Sequence, residues 1–193
     1  MGEIRQNQPA LIVLTGRPGS GKTTLAHALA KTIRCPAICR DEIKEGFVNT
    51  TAQVGAPGDE ITWQIYEAFF DTVRLLLDRR ITLVPEAAFQ HTPWTRKLEA
   101  ISQIARVRII VCSLEPQLAR KRHIERGLAD PVREQFHHDR AVQAAREGLE
   151  LPIGDYQPPK MDVPTLMVDT SDGYRPDFQS IVSFACARDS AGR

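Results

Sequence analysis

Residues 16–23 read Gly16-Arg17-Pro18-Gly19-Ser20-Gly21-Lys22-Thr23, and the chain on either side supplies the frame this run requires. Upstream, Leu11-Ile12-Val13-Leu14-Thr15 is a short apolar segment suited to a strand covered on both faces. Downstream, Thr24 to Lys31 is rich in helix formers with apolar residues at helical spacing. Strand, glycine-rich turn and helix together form the setting in which such a run binds phosphate. Gly16, Gly19 and Gly21 let successive main-chain amides converge on an anion, and the helix opening near Lys22 adds free amides and a positive dipole end. The Lys22 ammonium is placed to meet β- and γ-phosphate oxygens, and the Thr23 hydroxyl to ligate a bridging Mg²⁺. Arg17, Pro18, Ser20 and Thr24 complete the candidate nucleotide contacts of the loop.

The chain has 193 residues, enough for one α/β domain with a sizeable core, and residues 1–193 are read as that single domain. Its 25 Lys+Arg and 24 Asp+Glu nearly cancel, which argues against a surface built to coat nucleic acid and leaves room for a local basic groove. Cys35, Cys39, Cys112 and Cys186 make no paired zinc spacing and read as free thiols of a reducing compartment. The polar stretch Met1 to Pro9 has no signal-peptide core, and no apolar run approaches the length of a membrane span. A cytoplasmic location without membrane association is the expectation.

Strands are expected at 11–15, 37–39, 81–84, 107–112 and 165–168. Helices are expected at about 24–31, 42–48, 62–77, 94–105, 116–126, 132–147 and 176–187. Residues 49–59, with Gly55, Pro57 and Gly58, read as a loop within a mobile substrate-side segment spanning about 44–62, and 151–162 read as another loop. Residues 117–140 read as a lid. Strands that alternate with helices give a mainly parallel five-stranded sheet covered on both faces, with ligands beyond the carboxyl ends of the strands.

The residues with chemistry fall at that end. Asp41 follows the second strand, where a carboxylate can orient an attacking hydroxyl and take its proton, or else cap the next helix. Glu86 follows the third strand and is a candidate to hold a water of the metal ion. Arg122 and Arg126, four apart and so on one helix face, are candidates to stack on adenine and clamp phosphates as the lid closes. Asp169 and Thr170 end the fifth strand, where the backbone can meet adenine. His123, His137 and His138 lack ligand spacing and read as surface residues. Trp63, Tyr66, Phe69 and Phe70 read as core.

Gly16 to Thr24, the run Cys39-Arg40-Asp41-Glu42-Ile43-Lys44, the segment Val84 to Phe89 followed by Arg96, the pair Arg122 and Arg126, and Val168 to Ser171 together resemble a known group. Over roughly residues 10–185 the chain is similar to the small P-loop kinases of the nucleoside-monophosphate-kinase-like group. It resembles in particular a branch of predicted kinases related to polynucleotide kinase and chloramphenicol-phosphotransferase-like enzymes. The resemblance implies a P-loop NTPase three-layer sandwich, ATP and Mg²⁺ as the donor pair, and γ-phosphoryl transfer to a hydroxyl. It casts Lys22, Asp41 and Arg126 as the catalytic residues. The strand-end acid of that branch is often aspartate, and here it is Glu86. Three readings follow: a kinase of a small-molecule hydroxyl, a polynucleotide 5′-hydroxyl kinase, and a nucleotide-binding regulator without an acceptor.

Overall fold

The computed structural model describes residues 8–54 and 59–187. Its elements run β1 (Ala10–Gly16), α1 (Lys22–Ile33), β2 (Ala37–Cys39), α2 (Arg40–Thr51), α3 (Glu60–Asp78), β3 (Val84–Glu86), α4 (His91–Ile101), β4 (Arg106–Ser113), α5 (Pro116–Ala129), α6 (Pro131–His137), α7 (Arg140–Arg146), β5 (Thr165–Asp169) and α8 (Phe178–Cys186). The five strands form one sheet in the order β2-β3-β1-β4-β5, and every ladder between them is parallel.

β1 is central and buried along its whole length, which accounts for its unbroken apolar run. Alternation divides its side chains between two cores. Leu11 and Val13 face Phe69 and Val73 of α3 and Leu98 and Ile101 of α4. Ile12 and Leu14 face Leu25 and Leu29 of α1 and Ile181 of α8. These are the three layers of the sandwich, and burial on both faces supplies the hydrophobic term that holds them.

The third strand lies later than its apolar run suggests. Pro85 reads as a strand end because it lacks an N–H, yet it sits inside β3, paired in register with Ile38. The cost falls on the β1 side, where the named ladder is reduced to Leu14 opposite Glu86, with a separate bridge between Leu11 and Leu83. That register carries Glu86 to the last turn before the glycine-rich loop.

The expected helix over 132–147 is two helices. His138 takes a left-handed conformation (φ 48°), and Asp139 then caps α7 by accepting from the amides of Ala141 and Val142. The Asp139 amide is in turn satisfied by Glu134 Oε1 at 2.5 Å. Asp130 likewise caps α6 behind Pro131. The expected loop 49–59 is shorter than read, since α2 continues to Thr51 and α3 starts at Glu60 under an Asp59 cap. Gly55, Pro57 and Gly58 lie outside the described residues. Among the described residues no helix is long and apolar enough to cross a membrane.

Candidate active site

The loop from Gly16 to Gly21 joins the end of β1 to α1, and both its ends are held. Gly19 has φ +81°, and a Cβ there would stand 2.0 Å from the Ala119 carbonyl oxygen on α5, so only glycine permits this approach. The Thr170 hydroxyl donates to the Ser20 carbonyl at 2.9 Å, tying the loop to the end of β5. Arg17 donates to the Gly154 carbonyl at 2.6 Å, and the Tyr156 hydroxyl shares a 2.6 Å hydrogen bond with Thr15. The 151–162 segment, expected as a plain loop, is therefore a strap across the base of the phosphate loop.

Glu86 is 2 % exposed and sits directly beneath Lys22 and Thr23. Its Oε1 is 3.5 Å from Lys22 Nζ, and its Oε2 accepts from the Thr23 hydroxyl at 2.9 Å. The register of β3 against β1 produces this cluster. The Cys39 thiol at the end of β2 lies 3.6 Å from His27 Nε2, and burial followed by the nearby Glu86 charge pushes that thiol well above its usual range. Nothing in the cysteine spacing announces the nearness to Glu86, because it depends on which strands are neighbours.

Asp41 lies in the first turn of α2 and faces a cleft of about 730 Å³ that Lys22, Arg126 and Arg133 also line. Burial works against its charge. The positive charges of Lys22, His137, Arg40 and Arg133 outweigh that effect and hold the carboxyl below its usual range. It is ionised at neutral pH and able to accept a hydrogen bond. It does not serve as the helix cap, since Cys39 occupies that position.

Arg126, on α5, donates to His123 Nδ1 at 3.3 Å. Burial first, and then the nearby Arg133, lower its pKa. Arg122 is turned the other way: its two terminal nitrogens donate to the carbonyls of Thr170 and Ser171 at 2.9 and 2.7 Å. The planar guanidinium therefore lies over the turn after β5. The Asp169 carboxylate is taken by the Ser171 amide, so that turn presents backbone rather than a free acid.

Three sets of residues differ from the sequence reading. His123 and His137 are largely buried, bonded to Asp139 at 2.9 Å and to Glu45 at 2.7 Å. Arg133, in the sequence only a weaker candidate beside the lid arginines, reaches from α6 to Asp41 at 3.6 Å and to Glu45 at 3.4 Å. Tyr66, Phe69 and Phe70 are core as expected, whereas Trp63 is 56 % exposed and stacks on Tyr66.

Gly16 to Thr23, Glu86, Asp41 and Arg126 thus converge at the carboxyl ends of the strands. The donor set beside the loop, a hydroxyl and a carboxylate, consists of hard oxygens of the kind Mg²⁺ takes. The converging loop amides and Lys22 suit a chain of phosphates.

Comparison with known proteins bears on the fold. A family model described as AAA domain matches residues 11–152. A provisionally assigned kinase from Chloroflexus aurantiacus superposes with a TM-score of 0.74 at 26 % identity, covering 92 % of this chain and 96 % of its own. The Mycobacterium tuberculosis APS kinase CysC, solved with AMPPNP and APS, superposes with a TM-score of 0.63 at 18 % identity, over 94 % and 99 %. A chain of the Pnkp1/Rnl/Hen1 RNA repair complex gives 0.55 at 19 %, over 77 % and 49 %. No curated protein matches the sequence. Since the family model spans well over half of its length, the chain belongs to the AAA domain family, with the fold of the small P-loop kinases.

Proposed function

We propose that this protein is an ATP-dependent phosphotransferase that moves the γ-phosphoryl of Mg-ATP to the hydroxyl of a small molecule. The observation that carries this reading is the cluster of Lys22, Thr23 and Glu86 opposite Asp41 across one cleft. Mg-ATP, when bound, would supply the phosphoryl group, and its metal would neutralise phosphate charge. Gly16 to Gly21 offer their amides to the phosphates, with Arg17, Pro18, Ser20 and Thr24 shaping the loop. Lys22 leaves Glu86 to neutralise phosphate charge. Thr23 and Glu86 would hold the metal, Thr23 directly and Glu86 through a water, which suits a carboxylate already bonded to the Thr23 hydroxyl. Arg122 and the turn at Asp169 and Thr170 frame the base.

Asp41 orients the acceptor and takes its proton as the acceptor oxygen bonds to the γ-phosphorus. At that moment the γ-phosphorus parts from the β,γ-bridging oxygen, which keeps the electron pair on ADP. The transition state is loose, so positioning counts for more than basicity, and a carboxylate held in its charged form is adequate. Arg126 faces the charge spread over the transferring group. Residues 117–140 act as the lid that excludes water.

The test is a screen of acceptors with γ-labelled ATP, using Lys22→Ala as the blank. Labelled product with the native chain and none with the variant is the expected result. Equal ATP turnover by both would contradict the reading.

A further inference from the structure

The cleft beside Asp41 carries more positive charge than a nucleotide donor requires. It is lined by Lys22, Arg40, Lys44, Arg126, Arg133 and Arg140, against the carboxylates of Asp41, Glu134 and Asp139. Those carboxylates are engaged. Asp41 faces Arg40 and Arg133, Glu134 accepts the Asp139 amide, and Asp139 is bonded to His123 and caps α7.

Lys22 and Arg126 serve the triphosphate in the reading above, and Arg133 is held by Asp41 and Glu45. Arg40, Lys44 and Arg140 remain; Arg140 is exposed at the start of α7, whereas Arg40 and Lys44 stand on α2 with Asp41. Lys44 Nζ donates to the His137 carbonyl at 3.2 Å, and among the described residues it has no carboxylate within ion-pair distance. Burial holds its ammonium below the usual lysine range. Arg40 Nη1 stands 3.9 Å from Asp41, while its Nε is buried without a hydrogen-bond partner. A buried donor left unpaired and a partly desolvated cation both gain when an anion arrives.

We infer that the acceptor is a small alcohol that itself carries an anionic group, a phosphate or a carboxylate, received by Arg40 and Lys44 while Asp41 takes its hydroxyl. This inference rests on the phosphotransferase reading and narrows its substrate class. Asp41 and Lys44 are three apart on one helix, so their side chains share a face. The reacting hydroxyl and the anionic group therefore lie roughly one helical turn apart, about 5 Å. The acceptor is small because three contacts tie α2 to α6 beside the cleft: Lys44 to the His137 carbonyl, Glu45 to His137, and Asp41 to Arg133. The cleft volume of about 730 Å³ falls among small-molecule sites. A polymer would have to part those contacts.

The experiment offers γ-labelled ATP with matched alcohols, each as the neutral compound, its monophosphate and its carboxylate. Glycerol, glycerol 3-phosphate and glycerate form one such set. A 5′-hydroxyl oligonucleotide is the further arm. Anionic members are expected to exceed their neutral partners in kcat/KM at least tenfold, and the phosphate and carboxylate arms tell the two groups apart. Lys44→Met should raise the KM of the anionic acceptor about ten- to a hundredfold, the range for a charge-assisted contact. Lys44→Arg should recover part of that loss, and the Kd for Mg·AMPPNP should stay where it was. Neutral members serving equally well, labelling of the oligonucleotide alone, or an unmoved KM in Lys44→Met would each overturn the inference.

If the panel holds no acceptor, inorganic phosphate titrated calorimetrically into the Mg·AMPPNP complex decides. Binding that Lys44→Met weakens at least tenfold supports the inference; no binding, or binding the variant leaves alone, overturns it. Failure of Mg·AMPPNP to bind would count against the phosphotransferase reading instead. The same phosphate titration into nucleotide-free Lys22→Ala, with and without Lys44→Met, would then decide this inference by the same two results.

Discussion

Replacing Glu86 by glutamine separates what this residue does for the fold from what it does for the metal. The side chain keeps its shape and can still accept from the Thr23 hydroxyl, but the charge opposite Lys22 is gone. The pair stands at 3.5 Å with side chains 10 % and 3 % exposed. At an effective dielectric of about 20 the Coulomb attraction is roughly 5 kcal/mol before desolvation is counted. Breaking a buried pair from one side typically costs about 3–5 kcal/mol. Lys22 opens onto the cleft and can find water there, so a cost at or below the bottom of that range, about 2–3 kcal/mol, is expected. For a chain of this length that is roughly a 5–10 °C fall in Tm, read by thermal denaturation without nucleotide.

The nucleotide results should divide by metal. Without Mg²⁺, ADP should bind as tightly as to the native chain or more tightly, because Lys22 no longer has a carboxylate to leave. With Mg²⁺, the concentration that gives half-maximal nucleotide binding or transfer should rise about ten- to a hundredfold, the usual cost of losing a group that orients a metal's ligands. A lowered Tm with an unchanged Mg²⁺ requirement would refute the metal role and leave Glu86 as a structural anchor for Lys22 and Thr23.

Asp41→Asn should reduce transfer about 10²–10³-fold while keeping affinity for Mg·AMPPNP, since a well-placed base contributes on that scale; full turnover in that variant would favour a regulator without an acceptor. Gly127→Ala sets two effects against each other. A Cβ there would stand 2.5 Å from Val142 Cγ2, an overpacking of about 1–3 kcal/mol, while alanine adds about 1 kcal/mol of helix propensity. A net loss of about 1 kcal/mol in denaturant titration, relieved by adding Val142→Ala, is expected, and a stabilised Gly127→Ala would refute the α5–α7 packing. Burial raises the Asp139 carboxyl, but its hydrogen bond and charge contact with His123 and the α7 amides lower it to about 2. Because this folded-state value is depressed, its stabilisation is complete above the unfolded carboxylate pKa near ~4 and is lost as pH falls toward 2, by about 2 kcal/mol. Asp139→Asn should flatten unfolding free energy across that window, and an unchanged slope would contradict the assignment.

The parts of this account legible in the sequence are those written in neighbouring residues. The strand, loop and helix around Gly16 to Thr23 announce themselves because the motif, its apolar strand and its helix are contiguous. The sandwich follows from alternation of apolar segments, and Asp41 and Glu86 are visible as acids at strand ends. What the sequence conceals depends on contacts between distant segments. Tyr156 meets Thr15, and Thr170 meets Ser20, across more than 100 residues of chain. Arg133 reaches Asp41 only because α6 turns back onto α2. The break at His138 left a readable trace, an aspartate at position 139 suited to cap a helix. It was masked because a left-handed residue that is not glycine carries no local signal. Pro85 misleads for the opposite reason, its missing N–H being tolerated within an internal strand.

The central claim is that the amides of residues 16–21, with Lys22, grip the phosphates of a nucleotide aimed at Asp41. A crystal structure with Mg·AMPPNP tests it. The account predicts the triphosphate wrapped by that loop, Lys22 moved from Glu86 to the β- and γ-oxygens, the metal on the Thr23 hydroxyl, and the γ-phosphoryl facing the Asp41 cleft. Nucleotide bound elsewhere, with Lys22 still on Glu86, would contradict it.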